Sequence, residues 1–129
     1  MPTWRLHTEF TFDAAHSIKG YDGKCGRIHG HTYKVHIEAK SNRLNPSRYL
    51  KSADMVCDFK ELKWAANDSK KGGLDHGLLD DLLEVPTTAE RIAEYIHTET
   101  AKRIPDGIDL RVTVWETANS WVEYTDREE

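Results

Sequence analysis

Apolar and polar residues alternate over residues 4–12, with Trp4, Leu6, Thr8, Phe10 and Phe12 on one side and Arg5, His7, Glu9 and Thr11 on the other. A period of two is that of a half-buried β-strand. The same period returns in His31, Tyr33, Val35, Ile37 and Ala39, opposed by Thr32, Lys34, His36 and Glu38, and predicts a second strand. Residues 41–54 are polar and interrupted by Asn45-Pro46, which reads as a long exposed connection leading to the short apolar stretch Met55-Val56-Cys57. After Asp58 the period lengthens. Phe59, Leu62 and Ala66 fall at helical spacing, Asp58 and Glu61 form a variant capping box, and a helix of about three turns is predicted. It ends near Ser69, where Lys70-Lys71-Gly72-Gly73 terminates it. Beyond an apolar turn at 74–83, Thr87 and Glu90 repeat the capping pattern, and Ala89, Ile92, Ala93 and Ile96 form one face of a second helix that stops before Pro105. The turn Pro105-Asp106-Gly107 then leads into Ile108, Leu110, Val112 and Val114, alternating with Asp109, Arg111, Thr113 and Trp115, and a short last strand occupies 121–124.

The predicted order is β-β-α-α-β-β, an α+β fold in which an antiparallel sheet carries two helices on one face. A chain of 129 residues fits one domain spanning 1–129. So small a sheet leaves edges that must be covered or paired, which predicts a homo-oligomer.

Composition narrows the function classes. Charged residues make up 31% and no apolar run reaches the length of a membrane span, so membrane insertion is excluded at this level. The opening Met1-Pro2-Thr3-Trp4-Arg5-Leu6 lacks a charged-then-apolar leader, and a cytoplasmic location is expected. Two cysteines do not make a disulfide framework. A net charge of -4 argues against a general nucleic-acid binder.

Seven histidines in so short a chain are the chemical oddity. His29 and His31 are two residues apart, hence on one face of a strand, with Gly30 adding no side chain between them. If the first two strands pair antiparallel, His16 meets both at one end of the sheet. Three imidazoles that leave a fourth position open are the donor set of a catalytic Zn²⁺ site; the bland alternative is histidines satisfied at a sheet end. Cys25 reads either as a fourth ligand closing a structural site or as a free thiol whose pKa a nearby cation lowers, able to take a proton from carbon. Cys57 reads as core filler. Asp75-His76 pairs a carboxylate with an imidazole whose tautomer it could hold, or is merely an exposed loop. Glu116 continues the apolar row of the penultimate strand onto the face that should be buried. There a carboxylate needs a partner, such as the adjacent N–H donors of a cyclic guanidine, unless it faces solvent at the turn. His7, His36 and His97 read as surface residues.

In combination these segments are more specific than any one of them. Phe10-x-Phe12-x-Ala14-Ala15-His16, Cys25-x-x-x-His29-Gly30-His31, Asp58-Phe59-x-x-Leu62-Lys63, Leu74-Asp75-His76, Pro86-Thr87 and Glu116-Thr117 resemble the 6-pyruvoyl-tetrahydropterin synthase family. The cysteine-to-histidine spacing is most similar to its 6-carboxy-tetrahydropterin synthase branch, which serves queuosine biosynthesis. The resemblance implies a tunnelling fold, with subunit sheets joined into a barrel as a hexamer of two stacked trimers. It also implies Zn²⁺ on His16, His29 and His31, binding the side-chain hydroxyls of 7,8-dihydroneopterin triphosphate. Cys25 would be the proton acceptor, Asp75 and His76 a relay reaching in from a neighbouring subunit, and Glu116 the anchor of the pterin ring. Thr87 would lie on the substrate side, and Lys24 and Arg27 would supply the local charge that a triphosphate needs. The product would be a 6-carboxy pterin, with acetaldehyde and triphosphate released, or a 6-pyruvoyl pterin. A non-catalytic pterin- or purine-binding relative with a structural zinc, or a hydrolase using metal-bound hydroxide, would share the histidines. The chain departs from the family pattern at Asp80, where Asn is usual, and in Pro86-Thr87-Thr88-Ala89-Glu90-Arg91, which carries an extra residue and no Asn.

Overall fold

The computed structural model of the chain describes residues 2–67 and 73–127. Two long strands, β1 (Trp4–His16) and β2 (His29–Ser41), pair antiparallel along their whole length, from Trp4↔Ser41 to His16↔His29. Both run past the strongest alternation, which spans 4–12 and 31–39. The extension keeps the same inward row, since Ala14 and His16 are buried like Phe12 before them. Cross-strand pairing, not hydrophobicity, carries it to the histidines.

A strand of only two residues, β3 (Gly77–Leu78), runs parallel to β1 through Ala14↔Gly77 and Ala15↔Leu78. It lies in the stretch 74–83 that the periodicity treats as a turn, and two residues are too few to show a period. On the other side of β2 lie β4 (Asp109–Thr117) and then β5 (Ser120–Tyr124), giving the sheet order β3-β1-β2-β4-β5. Between Trp115↔Trp121 and Thr117↔Ser120 the register shifts, so Glu116 is the extra residue of a bulge.

The predicted first helix is divided into α1 (Phe59–Leu62) and α2 (Trp64–Asn67), interrupted at Lys63. Asp58 does cap it, its carboxylate accepting from the Lys60 N–H at 2.8 Å. The expected terminus at Ser69, Lys70, Lys71 and Gly72 lies outside the described residues. The second helix, α3 (Ala89–Ala101), packs across β4 and β5. Its N-cap is Thr88, whose hydroxyl accepts from the Arg91 N–H, and not Thr87 as the spacing to Glu90 suggests.

The core lies between the inner sheet face and the helices, around Phe12, Tyr33, Ile37, Leu62, Ile92, Ile96 and Val112, all fully or almost fully buried. His97 belongs to it and not to the surface. Ile92, Ala93, Ile96, His97 and Thr100 form a stripe on α3 wider than the apolar residues alone suggest. The His97 ring packs edge-on against Tyr124, and Nε2 lies 3.1 Å from the Leu110 carbonyl. His7 is exposed as expected and sits 3.0 Å from the half-buried His36 across the outer sheet face. No helix among the described residues is long and apolar enough to cross a membrane.

Candidate metal centre

The pairing of His16 with His29 brings the end of β1 to the start of β2, and His31 follows on the same inner face. Ligand nitrogens of the three imidazoles all lie within 4.8 Å of one another. His16 Nε2 and His29 Nε2 are 3.1 Å apart. Each ring has its other nitrogen committed: His16 Nδ1–H donates to the Thr87 carbonyl at 2.8 Å, and His29 Nδ1–H to the Arg27 carbonyl at 2.7 Å. With Nδ1 protonated, each neutral imidazole presents a lone pair at Nε2. Two lone pairs facing each other at this distance repel unless a cation lies beside both. Tetrahedral Zn²⁺ with bonds of about 2.0–2.1 Å would hold such nitrogens about 3.3 Å apart.

His31 supports the same reading. Its Nε2 is buried with no hydrogen-bond partner among the described residues and lies 3.7 Å from Glu116 Oε1. Burial lowers its pKa below the ordinary imidazole value, Glu116 opposes that, and His16 and His29 add to the lowering. The neutral form, which binds metals, is therefore favoured. The residues fit a zinc ion in donor type, tautomer and outer hydrogen bonds.

Cys25 lies in the 3-10 turn Lys24–Gly26 of the connection from β1 to β2, half-buried, its carbonyl accepting from the Ile18 N–H at 2.7 Å. Its sulphur is not among the ligand atoms that cluster within 4.8 Å, so the site is a three-histidine set with Cys25 standing off. Lys24 and Arg27 are exposed on the same turn. Cys57 is buried in the core.

Asp75 and His76 do not join the imidazoles within one chain. Asp75 Oδ2 lies 2.9 Å from His76 Nδ1, and Asp75 Oδ1 accepts from the Asp13 N–H at 3.0 Å, an interaction that, foremost, holds the Asp75 pKa below its usual value. Asp13 pairs with Thr32 in register, and the Thr32 hydroxyl donates to its carboxylate at 2.5 Å. Residues 13 and 32 project from the opposite face to 14 and 31, so the relay lies across the sheet from the metal ligands. His76, with φ of 60°, is the one described non-glycine residue with positive φ, and its imidazole is 75% exposed. Backbone in a sparsely populated region at a carboxylate–imidazole contact is typical of functional positions. Asp13 and Thr32 carry no motif of their own; the register of β1 on β2 and β3 is what reveals them.

Glu116 continues the inward row of Val112 and Val114, and its Oε1 lies 3.7 Å from His31 Nε2. With Ile18, Thr88, Glu90 and Trp121 it lines a hollow of about 370 Å³ at the N-terminus of α3. Thr87 does not line it. Its side chain is buried, the hydroxyl 3.0 Å from Asp80 Oδ1 and 3.2 Å from the Ser17 carbonyl. Within one chain the Thr87 carbonyl backs His16, and Thr88 is the threonine on this hollow. The Tyr33 hydroxyl is buried under the imidazoles without a partner among the described residues, and burial first, then Glu116 and Asp80, raise its pKa.

The chain is 34% identical over 122 residues to 6-carboxy-5,6,7,8-tetrahydropterin synthase of Synechocystis sp., covering 94% of this chain and 92% of that one. It is 32% identical to human 6-pyruvoyl tetrahydrobiopterin synthase, covering 93% and 81%. Its fold matches 6-pyruvoyl tetrahydropterin synthase of Caenorhabditis elegans with a TM-score of 0.72 at 21% identity, over 98% of each chain, which places the sheet and helices in the tunnelling fold. The model of the family described as 6-pyruvoyl tetrahydropterin synthase matches residues 5–127, and with the three histidines at the β1–β2 end the chain belongs to that family.

Proposed function

We propose that the chain is a zinc-dependent lyase that converts 7,8-dihydroneopterin triphosphate and one water to 6-carboxy-5,6,7,8-tetrahydropterin, acetaldehyde and triphosphate. One observation supports the reading: His16 and His29 donate Nδ1–H to backbone carbonyls and leave their Nε2 atoms 3.1 Å apart, with a ligand nitrogen of His31 within 4.8 Å of both. Zn²⁺ bound there would polarise the hydroxyls of the substrate side chain and acidify the adjacent C–H. Cys25, off the ligand set but on the turn that leads into His29, is the thiol that accepts that proton. Glu116 takes the N–H donors of the pterin ring at the mouth of α3, and Lys24 and Arg27 supply positive charge for the triphosphate. Asp75 and His76, lying across the sheet, serve the site of a neighbouring copy in a homo-oligomer, a hexamer of two trimers, in the cytoplasm.

The test is incubation of the zinc-loaded protein with dihydroneopterin triphosphate. Release of triphosphate and acetaldehyde is expected, and Cys25→Ala is expected to lose about 10²–10⁴-fold in rate, the range for a general base. Unchanged turnover in Cys25→Ala would defeat the assignment. The human relative's name motivates a second reading, formation of a 6-pyruvoyl pterin; triphosphate without acetaldehyde would establish it. A non-catalytic relative with Cys25 as fourth ligand requires Cys25 to be shielded from thiol reagents once zinc is bound, whereas the catalytic thiol stays reactive.

A further inference from the structure

We propose that Asp80 is a positioning residue of the metal centre: its carboxylate fixes Ser17 and Thr87, and through the Thr87 carbonyl it fixes the tautomer and orientation of His16. The inference rests on the three-histidine metal reading above and extends it to a residue outside the ligand set.

The register explains how Asp80 arrives there. Parallel pairing runs Ala14↔Gly77 and Ala15↔Leu78, so Asp80, two residues after Leu78, falls beside Ser17, two residues after Ala15. The carboxylate then meets three donors. Ser17 N–H lies 3.2 and 3.3 Å from its two oxygens, the Ser17 hydroxyl donates to Oδ2 at 2.5 Å, and the Thr87 hydroxyl donates to Oδ1 at 3.0 Å. That hydroxyl also reaches the Ser17 carbonyl at 3.2 Å, which ties both partners to one node. From Thr87 the chain continues to the metal site, because the Thr87 carbonyl accepts His16 Nδ1–H at 2.8 Å. His16, Ser17 and Thr87 are thus clamped from both sides of the ligand.

An ionised carboxylate suits this node better than an amide. It offers acceptors on both oxygens, whereas Asn offers one oxygen and turns an NH₂ toward groups that are donating. The two hydroxyls can rotate to accept from that NH₂; the Ser17 N–H cannot. Asn should therefore keep part of the function, and Ala should keep none of it.

The test compares the parent with Asp80→Asn, Asp80→Ala and Thr87→Val at one pH. Zinc affinity is measured by chelator competition, the Co²⁺ absorption spectrum reports ligand geometry, and the melting temperature of the metal-free protein reports folding. Removing an outer hydrogen-bond partner of a metal ligand typically costs about 10–100-fold in metal affinity. Because the Thr87 carbonyl itself remains in Asp80→Ala, a loss at the low end of that range, about tenfold, with an altered Co²⁺ spectrum is expected for it, with Asp80→Asn between it and the parent. Thr87→Val, which keeps the Asp80–Ser17 bonds, is expected to weaken zinc binding too, and decides the matter if Asp80→Ala does not fold. Parent-like zinc affinity and Co²⁺ spectrum in the folded variants would overturn the proposal, even if their melting temperatures fall. If the parent and His16→Ala bind Co²⁺ alike, the metal reading itself fails, and this inference with it.

Discussion

The two thiols of this chain are the same group in two environments, and burial separates them. Cys25 is half-exposed on a turn beside Arg27, while Cys57 is packed into the core between Val56 and Asp58. Burial foremost, then Asp58 and Glu61, pushes the Cys57 thiol up to about 11. In the unfolded chain a thiol titrates at about 8.5. The unfolded state therefore loses its proton first, and between these values unfolding releases a proton, so stability falls as pH rises. Melting temperatures of the parent should drop more steeply above about pH 8.5 than those of Cys57→Ala; equal slopes would show that Cys57 is not held neutral. A thiol reagent should label Cys25 in the folded protein and Cys57 only after unfolding. That Cys57 is core is legible from its apolar neighbours. The burial of His97 is not, because a histidine on the flank of an apolar stripe reads as solvent-facing until the sheet beneath it is known.

At the scale of elements, the site depends on how the chain leaves β1 and enters β2. The connection folds back on itself: Ile18 N–H donates to the Cys25 carbonyl at 2.7 Å, and Tyr21 N–H to the Ile18 carbonyl at 3.1 Å. Gly26 sits where a Cβ would lie 2.6 Å from the Tyr21 carbonyl oxygen, closer than backbone atoms tolerate. Gly26→Ala should push the turn outward at a cost of about 1–3 kcal/mol, the range for overpacking. Because Arg27 holds His29 through its carbonyl, both the labelling rate of Cys25 and zinc affinity should change together. Parent-like values of both would place the turn outside the site. The long strands and α3 are legible from periods of two and of 3.6, and the histidine spacing points to the cluster before any fold is known. What the periodicity hides is β3, Asp13, Thr32 and the exchange of roles between Thr87 and Thr88. The first three are set by register, and a two-residue strand has no pattern that would announce it; the last is set by where the Arg91 N–H finds a hydroxyl. One strand so short still governs two places, aligning Asp75-His76 with Asp13 and Asp80 with Ser17.

For the whole molecule, the proposed zinc acts as a tie between parts that are far apart in sequence. His16 closes β1, His29 and His31 open β2, and Thr87, 71 residues from His16, joins the entry of α3 to the same point. The unfolded chain does not hold these donors together, so zinc bound to the native state adds to its stability by mass action, about 2.7 kcal/mol when free zinc is a hundredfold above its dissociation constant. For a chain of 129 residues that corresponds to a rise of roughly 10 °C in melting temperature. The rise should follow the logarithm of zinc concentration, reverse on adding a chelator, and largely vanish in His29→Ala. In Glu116→Gln it should persist, because Glu116 lies beside His31 and outside the ligand set. A melting temperature indifferent to zinc in the parent would mean that the facing imidazole lone pairs are relieved in some other way. The three histidines would then be a sheet end and not a metal centre.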